Sequence, residues 1–225
     1  MRELGGRGTA SATSKKSSGG GFTEEEQREL EWYVSGDGMY INNVLRGINP
    51  EITASDFFDH EKNAVKTLDR ALNKNLKEQT LYRAVDATAI FGNMSASDFE
   101  NLRSQLVYGN IDKGAYAQKQ QAKAQNMINK ALGKTITDKG FVSTTRDEDI
   151  ASGWGSFTGS DKPIVMKIKT SKNTKGRDVS KASKEIRRTE KYDPQKETLL
   201  ARNQKFTPTK VYAKNGVVYV DVKMK

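Results

Sequence analysis

The 225-residue chain has no cysteine, so neither a disulfide nor a thiolate zinc site can form. It has one histidine, His60, which excludes a multi-histidine metal site, and no metal is expected. His60 lies in Asp59-His60-Glu61, at the start of a predicted helix, and reads as a surface residue rather than a catalytic one. No apolar run approaches the roughly 18 residues that a membrane span requires. The N-terminus has no apolar signal-peptide core either. Apolar residues make up 35% and mean hydropathy is −0.77, so one sizeable core is expected under a very polar surface. Positive charge, by contrast, is in excess, with a net charge of +10 and an isoelectric point near 9.6. That balance favours an acidic partner, whether nucleic acid, a polyphosphate cofactor or an acidic protein, and does not choose among them.

Residues 1–22 are rich in Gly, Ser, Thr and Lys and nearly free of large apolar residues, so they read as a flexible tail or linker. Such a tether suggests that the folded part is one end of a longer protein, or a domain delivered on something else. Thr23, with Glu26 three residues on, signals a capping box and a helix to about Val34. A second helix is predicted over Met39–Arg46. A third runs from a cap at Thr53 or Ser55 to about Asn75, with Phe57, Phe58, Val65, Leu68 and Leu72 at helical spacing. Strand Gln79–Val85 carries Arg83. Helices follow over Ser95–Val107 and Lys113–Leu132, and then a strand Lys139–Thr145 that ends in hydroxyl residues. Asp147–Ser152 can start a helix, and 153–159 is a loop with two aromatics, Trp154 and Phe157. Pro163–Lys169 alternates as a strand, and 171–194 is a long basic loop, a length usually tied to function. Phe206–Tyr212 and Val217–Val222 pair as a hairpin about Asn215-Gly216. Helices gather early and strands late, which argues for α+β rather than a wound parallel sheet.

The stretch that organises the rest is Gln195-Lys196-Glu197-Thr198-Leu199-Leu200. As a strand it sets Gln195 and Glu197 on one face, about 7 Å apart. Two polar residues on a strand are by themselves an ordinary solvated edge, but two distant stretches add matching chemistry. Arg83 can grip phosphate through two parallel hydrogen bonds. Ser143, Thr144 and Thr145 offer hydroxyls that can hold a carboxylate in one rotamer. A glutamate so fixed can stabilise positive charge developing at an anomeric carbon. The parts together suit a phosphate-bearing nucleotide with a scissile glycosidic bond.

Leu81-Tyr82-Arg83, Gly140-Phe141-Val142-Ser143-Thr144-Thr145 and Gln195-x-Glu197 resemble, in order, the Arg, Ser-Thr-Ser and Gln-x-Glu motifs of mono-ADP-ribosyltransferases. The likeness is to the bacterial exoenzyme branch that includes the Rho-modifying clostridial toxins. It extends upstream through Tyr33, Ile41, Asn42, Leu45 and Arg46, and downstream through Leu199-Leu200-Ala201-Arg202 and Phe206. Coverage is about residues 23–225, expected as a single catalytic domain. The resemblance implies a split β-sandwich of two small, roughly perpendicular sheets with N-terminal and flanking helices, and a cleft for NAD between the sheets. It implies that Glu197, Gln195 and Ser143 are catalytic, Ser143 fixing Glu197. Arg83 and Arg46 would hold the pyrophosphate, with Asn42, Tyr33, Thr144 and Phe157 completing the NAD-binding set, and Phe157 or Trp154 stacking on the nicotinamide. The loop before Gln195, with Tyr192 near its end, would meet the acceptor. Thr145 replaces the last Ser of the triplet, and Ala84 stands where a Gly is common.

The function so implied is transfer of ADP-ribose from NAD, as co-substrate and without a metal, to a non-arginine group on a protein. Because residue 195 is an amide, it cannot act as a general base toward a guanidinium, though it can donate and accept hydrogen bonds. The same chemistry on a nucleic acid base or ribose is the alternative that the +10 charge suits. A third is an inactive binding module on a phage particle or a modular toxin. The expected setting is a soluble monomer acting in a cytoplasm where NAD is available, delivered as part of a larger toxin or phage protein.

Overall fold

Thr23 starts the first helix as its spacing predicts. Its hydroxyl accepts from the Glu26 N–H and the Glu26 carboxylate caps the Thr23 N–H. The structure is a computed structural model that describes residues 21–34, 38–48, 50–109, 114–154, 159–180 and 196–225. The loop aromatic Phe157, the acceptor-loop Tyr192, Gln195 and nearly all of the predicted tail lie outside them, as does the side chain of Trp154.

Three helices come first: α1 (Glu24–Trp32), α2 (Gly38–Arg46) and α3 (Asp59–Leu72). The third is shorter than predicted because two carboxylates interrupt it. Asp56 folds back on Thr53 to close a single turn over Ala54–Asp56, and Glu61 caps the Phe58 N–H at 2.7 Å to begin α3 afresh. Phe57 between them is extended and buried, while Phe58 is exposed. Strand β1 (Thr80–Asp86) follows, then the short α4 (Thr88–Phe91), α5 (Ala96–Tyr108) capped by Ser95, and α6 (Ala115–Ala131). The C-terminal half holds β2 (Ile136–Asp138), β3 (Val142–Thr145), α7 (Glu148–Trp154), β4 (Pro163–Lys169), β5 (Gly176–Asp178), β6 (Glu197–Leu200), β7 (Gln204–Lys214) and β8 (Val217–Met224). Asn215 and Gly216 both take positive φ, 52° and 78°, which is the geometry a two-residue hairpin turn demands.

The architecture is α+β. Among the described residues, eight strands form one hydrogen-bonded ladder in the order β2-β7-β8-β4-β1-β3-β6-β5. The two expected sheets are the two parts of that ladder, five strands and three, joined at β1–β3 by the single registered pair Tyr82–Thr145. Two cores flank it. One packs Leu81, Ile164, Ile168, Val220 and Val222 against Phe99 and Leu102 of α5; the other packs Leu30, Ile41, Leu68 and Leu72 of the first three helices against Phe141 and Leu199. Val142 and Leu200 belong to the first core, Phe141 and Leu199 to the second. Strands β3 and β6 are therefore covered on both faces, because alternate residues point opposite ways. Ser143 lies on the Phe141 side, and Glu197 on the Leu199 side, so both face the N-terminal helices.

Two strands escape the sequence pattern. β2 is three residues long, and β5 lies inside the stretch predicted as loop. β5 exists because Gly176 lets the chain come against β6: a Cβ there would meet the Leu199 carbonyl at 2.7 Å. β6 begins at Glu197, later than expected. Lys196 has φ 44°, a left-handed conformation that breaks the extended alternation, so the strand argument placing Gln195 and Glu197 on one face does not carry back through Lys196.

Candidate active site

Strand pairing brings Ser143 and Glu197 together. Thr145 is the direct partner of Glu197 across β3–β6, and Ser143 lies two residues away on the same face. The Ser143 hydroxyl donates to Glu197 Oε1. Burial pushes the Glu197 carboxyl above its ordinary range, and the Ser143 hydrogen bond works against that shift by favouring the charged form. Thr144 does not join this group. It points to the opposite face, is 2% exposed, and donates to the Thr198 carbonyl at 2.5 Å, so it ties β3 to β6.

Helix α2 presents Asn42 and Arg46 one turn apart on one face. Asn42 is spent at both ends of its amide. Its Nδ2 donates to the Tyr33 hydroxyl at 2.6 Å, and its Oδ1 accepts from the Phe141 N–H at 2.8 Å. It thereby pins α2 and the end of α1 to the approach of β3. Tyr33 is buried with its ring edge-on to Phe141 at 5.7 Å, and burial pushes its phenol up to about 12. Arg46, Glu197 and Arg83 all lie near enough for their charges to act on that phenol.

Arg46 and Arg83 meet on a residue that the sequence pattern does not single out. Arg46 Nε donates to Asp138 Oδ1 at 2.8 Å and its Nη2 to Oδ2 at 3.2 Å, while Arg83 Nη1 donates to Oδ2 at 3.1 Å. Arg46 Nη2 also reaches the Phe141 carbonyl at 3.0 Å. The Gly140 N–H donates to Asp138 Oδ1 at 3.0 Å, and Asp138 is anchored in the ladder opposite Gln204. Gly140 is required for this closeness, because a Cβ there would lie 2.7 Å from Asn42 Oδ1 and 3.0 Å from Arg46 Cζ. Burial draws the Arg83 guanidinium below the usual arginine value and Arg46 adds to that, whereas Asp138 opposes it. The only hint in sequence is a carboxylate two residues before the Gly140-Phe141 pair, which gains meaning once two arginines are known to converge there.

Beside the two guanidiniums opens a cavity of about 390 Å³. Arg46, Arg83 and Asp138 line one side; Ile90, Met166 and Phe206 give it an apolar lining. A cationic grip beside an apolar pocket suits a dinucleotide held by its phosphates. Among the described residues, no group of three or more His, Asp or Glu side chains could hold a metal ion, and no helix is long and apolar enough to cross a membrane.

The sequence model of a family described as ADP-ribosyltransferase exoenzyme matches residues 6–224. Among curated proteins no match is found. Solved structures that resemble this one include C3stau2 from S. aureus with NAD, at TM-score 0.64 and 17% identity, with 92% of this chain and 89% of that one covered. The Clostridium limosum C3 exoenzyme aligns at TM-score 0.60 and 20% identity, covering 90% and 85%. Plx2a, an ADP-ribosyltransferase toxin from Paenibacillus larvae, aligns at TM-score 0.58 and 22% identity, covering 90% and 87%. At these identities the likeness is one of fold.

Proposed function

We propose, from the premise that this chain belongs to the ADP-ribosyltransferase exoenzyme family and is an NAD-dependent mono-ADP-ribosyltransferase, that it transfers ADP-ribose to a non-arginine group on a target protein. Residues 23–225 act as one catalytic domain in this reading. Arg46 and Arg83 bind the pyrophosphate of NAD, and the apolar cavity beside them takes an adjoining part of the dinucleotide. Glu197, oriented by Ser143, faces the ribose next to nicotinamide. As the glycosidic bond lengthens, the ribose gains positive charge and nicotinamide leaves with the bonding electrons. A fixed carboxylate opposite that charge lowers the barrier because its stabilisation grows toward the transition state. Tyr33 and Asn42 wall the same space. Phe157 and Gln195, outside the described residues, complete the set at the nicotinamide and at the acceptor.

The observation that carries this reading is the Ser143–Glu197 hydrogen bond, set on the strand face toward the helix that bears Arg46. The non-arginine acceptor rests on Gln195 being an amide, which can position a hydroxyl, an amide or a base edge but cannot deprotonate a guanidinium. The test is incubation with labelled NAD and a whole-cell lysate, with nuclease or protease added. Label lost to protease and kept after nuclease is expected; label lost to nuclease would move the acceptor to nucleic acid. Agmatine and poly-arginine should stay unlabelled. Gln195→Ala should abolish transfer while sparing slow NAD hydrolysis, since water needs no such positioning. Normal transfer by that variant would overturn the role of Gln195.

A further inference from the structure

We propose that Asp138 is a positioning residue for the pyrophosphate of NAD, holding Arg46 and Arg83 as one preformed cradle; this rests on the reading that those arginines bind the pyrophosphate. Two guanidiniums brought to one wall of a cavity repel each other, and long side chains on separate elements have no reason to stay aligned. One carboxylate solves both problems. Asp138 takes two hydrogen bonds from Arg46 and one from Arg83, and so neutralises one of the two charges. It is itself held from behind by the Gly140 N–H and by its place in β2, so the cradle is built on the sheet rather than on a mobile loop.

The donor count shows what this leaves for a ligand. A guanidinium has five N–H groups. Arg46 uses Nε and Nη2 on Asp138 and Phe141, and Arg83 uses Nη1. Among the described residues, Arg46 Nη1 and Arg83 Nε and Nη2 make no hydrogen bond, and both arginines line the 390 Å³ cavity. A net positive charge with fixed, unspent donors on two sides matches a dianionic diphosphate, which can accept from both at once. The ordering of both side chains is complete before the ligand arrives, so binding does not pay for it.

Kinetics of NAD hydrolysis without acceptor test the inference. Asp138→Asn should raise KM for NAD about tenfold or more with kcat nearly unchanged, because the loss of a charge-assisted hydrogen bond is worth about that factor. ADP, which shares the diphosphate, should weaken as a competitive inhibitor by a similar factor, while nicotinamide should inhibit as before. Asp138→Glu, which keeps the charge but shifts it by one methylene, should fall between. If Asp138→Asn does not fold, Asp138→Glu decides: raised KM and weakened ADP inhibition support the inference, and unchanged values for both overturn it. Arg83→Lys is measured alongside. Weakened NAD binding in Arg83→Lys with none in Asp138→Asn would overturn the role of Asp138 alone, and no loss in either would overturn the pyrophosphate site as well.

Discussion

Asn42→Leu separates a residue that holds the site together from one that touches substrate. Leucine nearly keeps the volume and removes both polar ends of the amide. Asn42 is 8% exposed, and its two hydrogen bonds, 2.6 Å to Tyr33 and 2.8 Å to Phe141, are buried. The Phe141 N–H would be left without a partner in the core, at a cost of about 1–3 kcal/mol, and the hydrogen bond to the Tyr33 hydroxyl would be lost, worth about 1 kcal/mol. The sum is about 2–4 kcal/mol. For a chain of this size each kcal/mol moves Tm by about 2–4 °C, so Tm should fall by roughly 5–15 °C. Arg46 sits one turn further along α2 and depends on the same tie for its approach to Asp138. The folded fraction of the variant should therefore show a raised KM for NAD as well. Thermal unfolding by calorimetry or dye binding, with NAD hydrolysis measured well below the transition, gives both readouts. A Tm within a degree of the parent would refute the reasoning. A raised KM at unchanged Tm would instead make Asn42 a direct NAD contact.

Glu197→Gln should keep the fold and NAD binding and lose on the order of a hundredfold or more in NAD cleavage, as loss of a preorganised electrostatic contact does; a variant with most of its rate would remove Glu197 from the chemistry. The same variant should unfold at a higher temperature at pH 7. Burial raises the Glu197 carboxyl in the folded state, so its favourable contribution is full below the ordinary carboxylate range and is lost as pH rises through the raised value. The Tm gain should shrink as pH falls toward about 4, and a gain that grew instead would contradict the sign. Cleavage by the parent should fall as pH drops through that same raised value, measured as log kcat/KM against pH, which reports the free enzyme, whereas a flat profile across the acid range would mean the carboxylate stays ionised. Gly140→Ala, whose Cβ would meet Asn42 Oδ1 at 2.7 Å, should cost about 1–3 kcal/mol by overpacking and raise KM for NAD; a neutral effect on both would show that α2 yields freely.

Much of this protein was legible along the chain because the relevant physics is local. The Thr23–Glu26 capping box, the Ser95 cap, the alternation of Pro163–Lys169 and the Asn215-Gly216 turn each depend on a few neighbouring residues, and each stands where the pattern puts it. The order of Arg83, Ser143 and Glu197 was legible too, since side-chain identity and order do not depend on the path the chain takes between them. What only the tertiary structure decided involves partners far apart in sequence. β5 is a strand because β6 offers it a ladder and Gly176 lets it close in, and neither fact shows in Arg177-Asp178. Thr144 and Ser143 are near-equivalent hydroxyls in sequence, yet alternation in a strand covered on both faces sends one to a backbone carbonyl and the other to Glu197. Lys196 breaks the strand one residue before Glu197, a backbone choice that no polar pattern announces. Asp138 acquires its meaning from Arg46, 92 residues away, and Arg83, 55 away, because a carboxylate can join two arginines only when folding brings both guanidiniums to it.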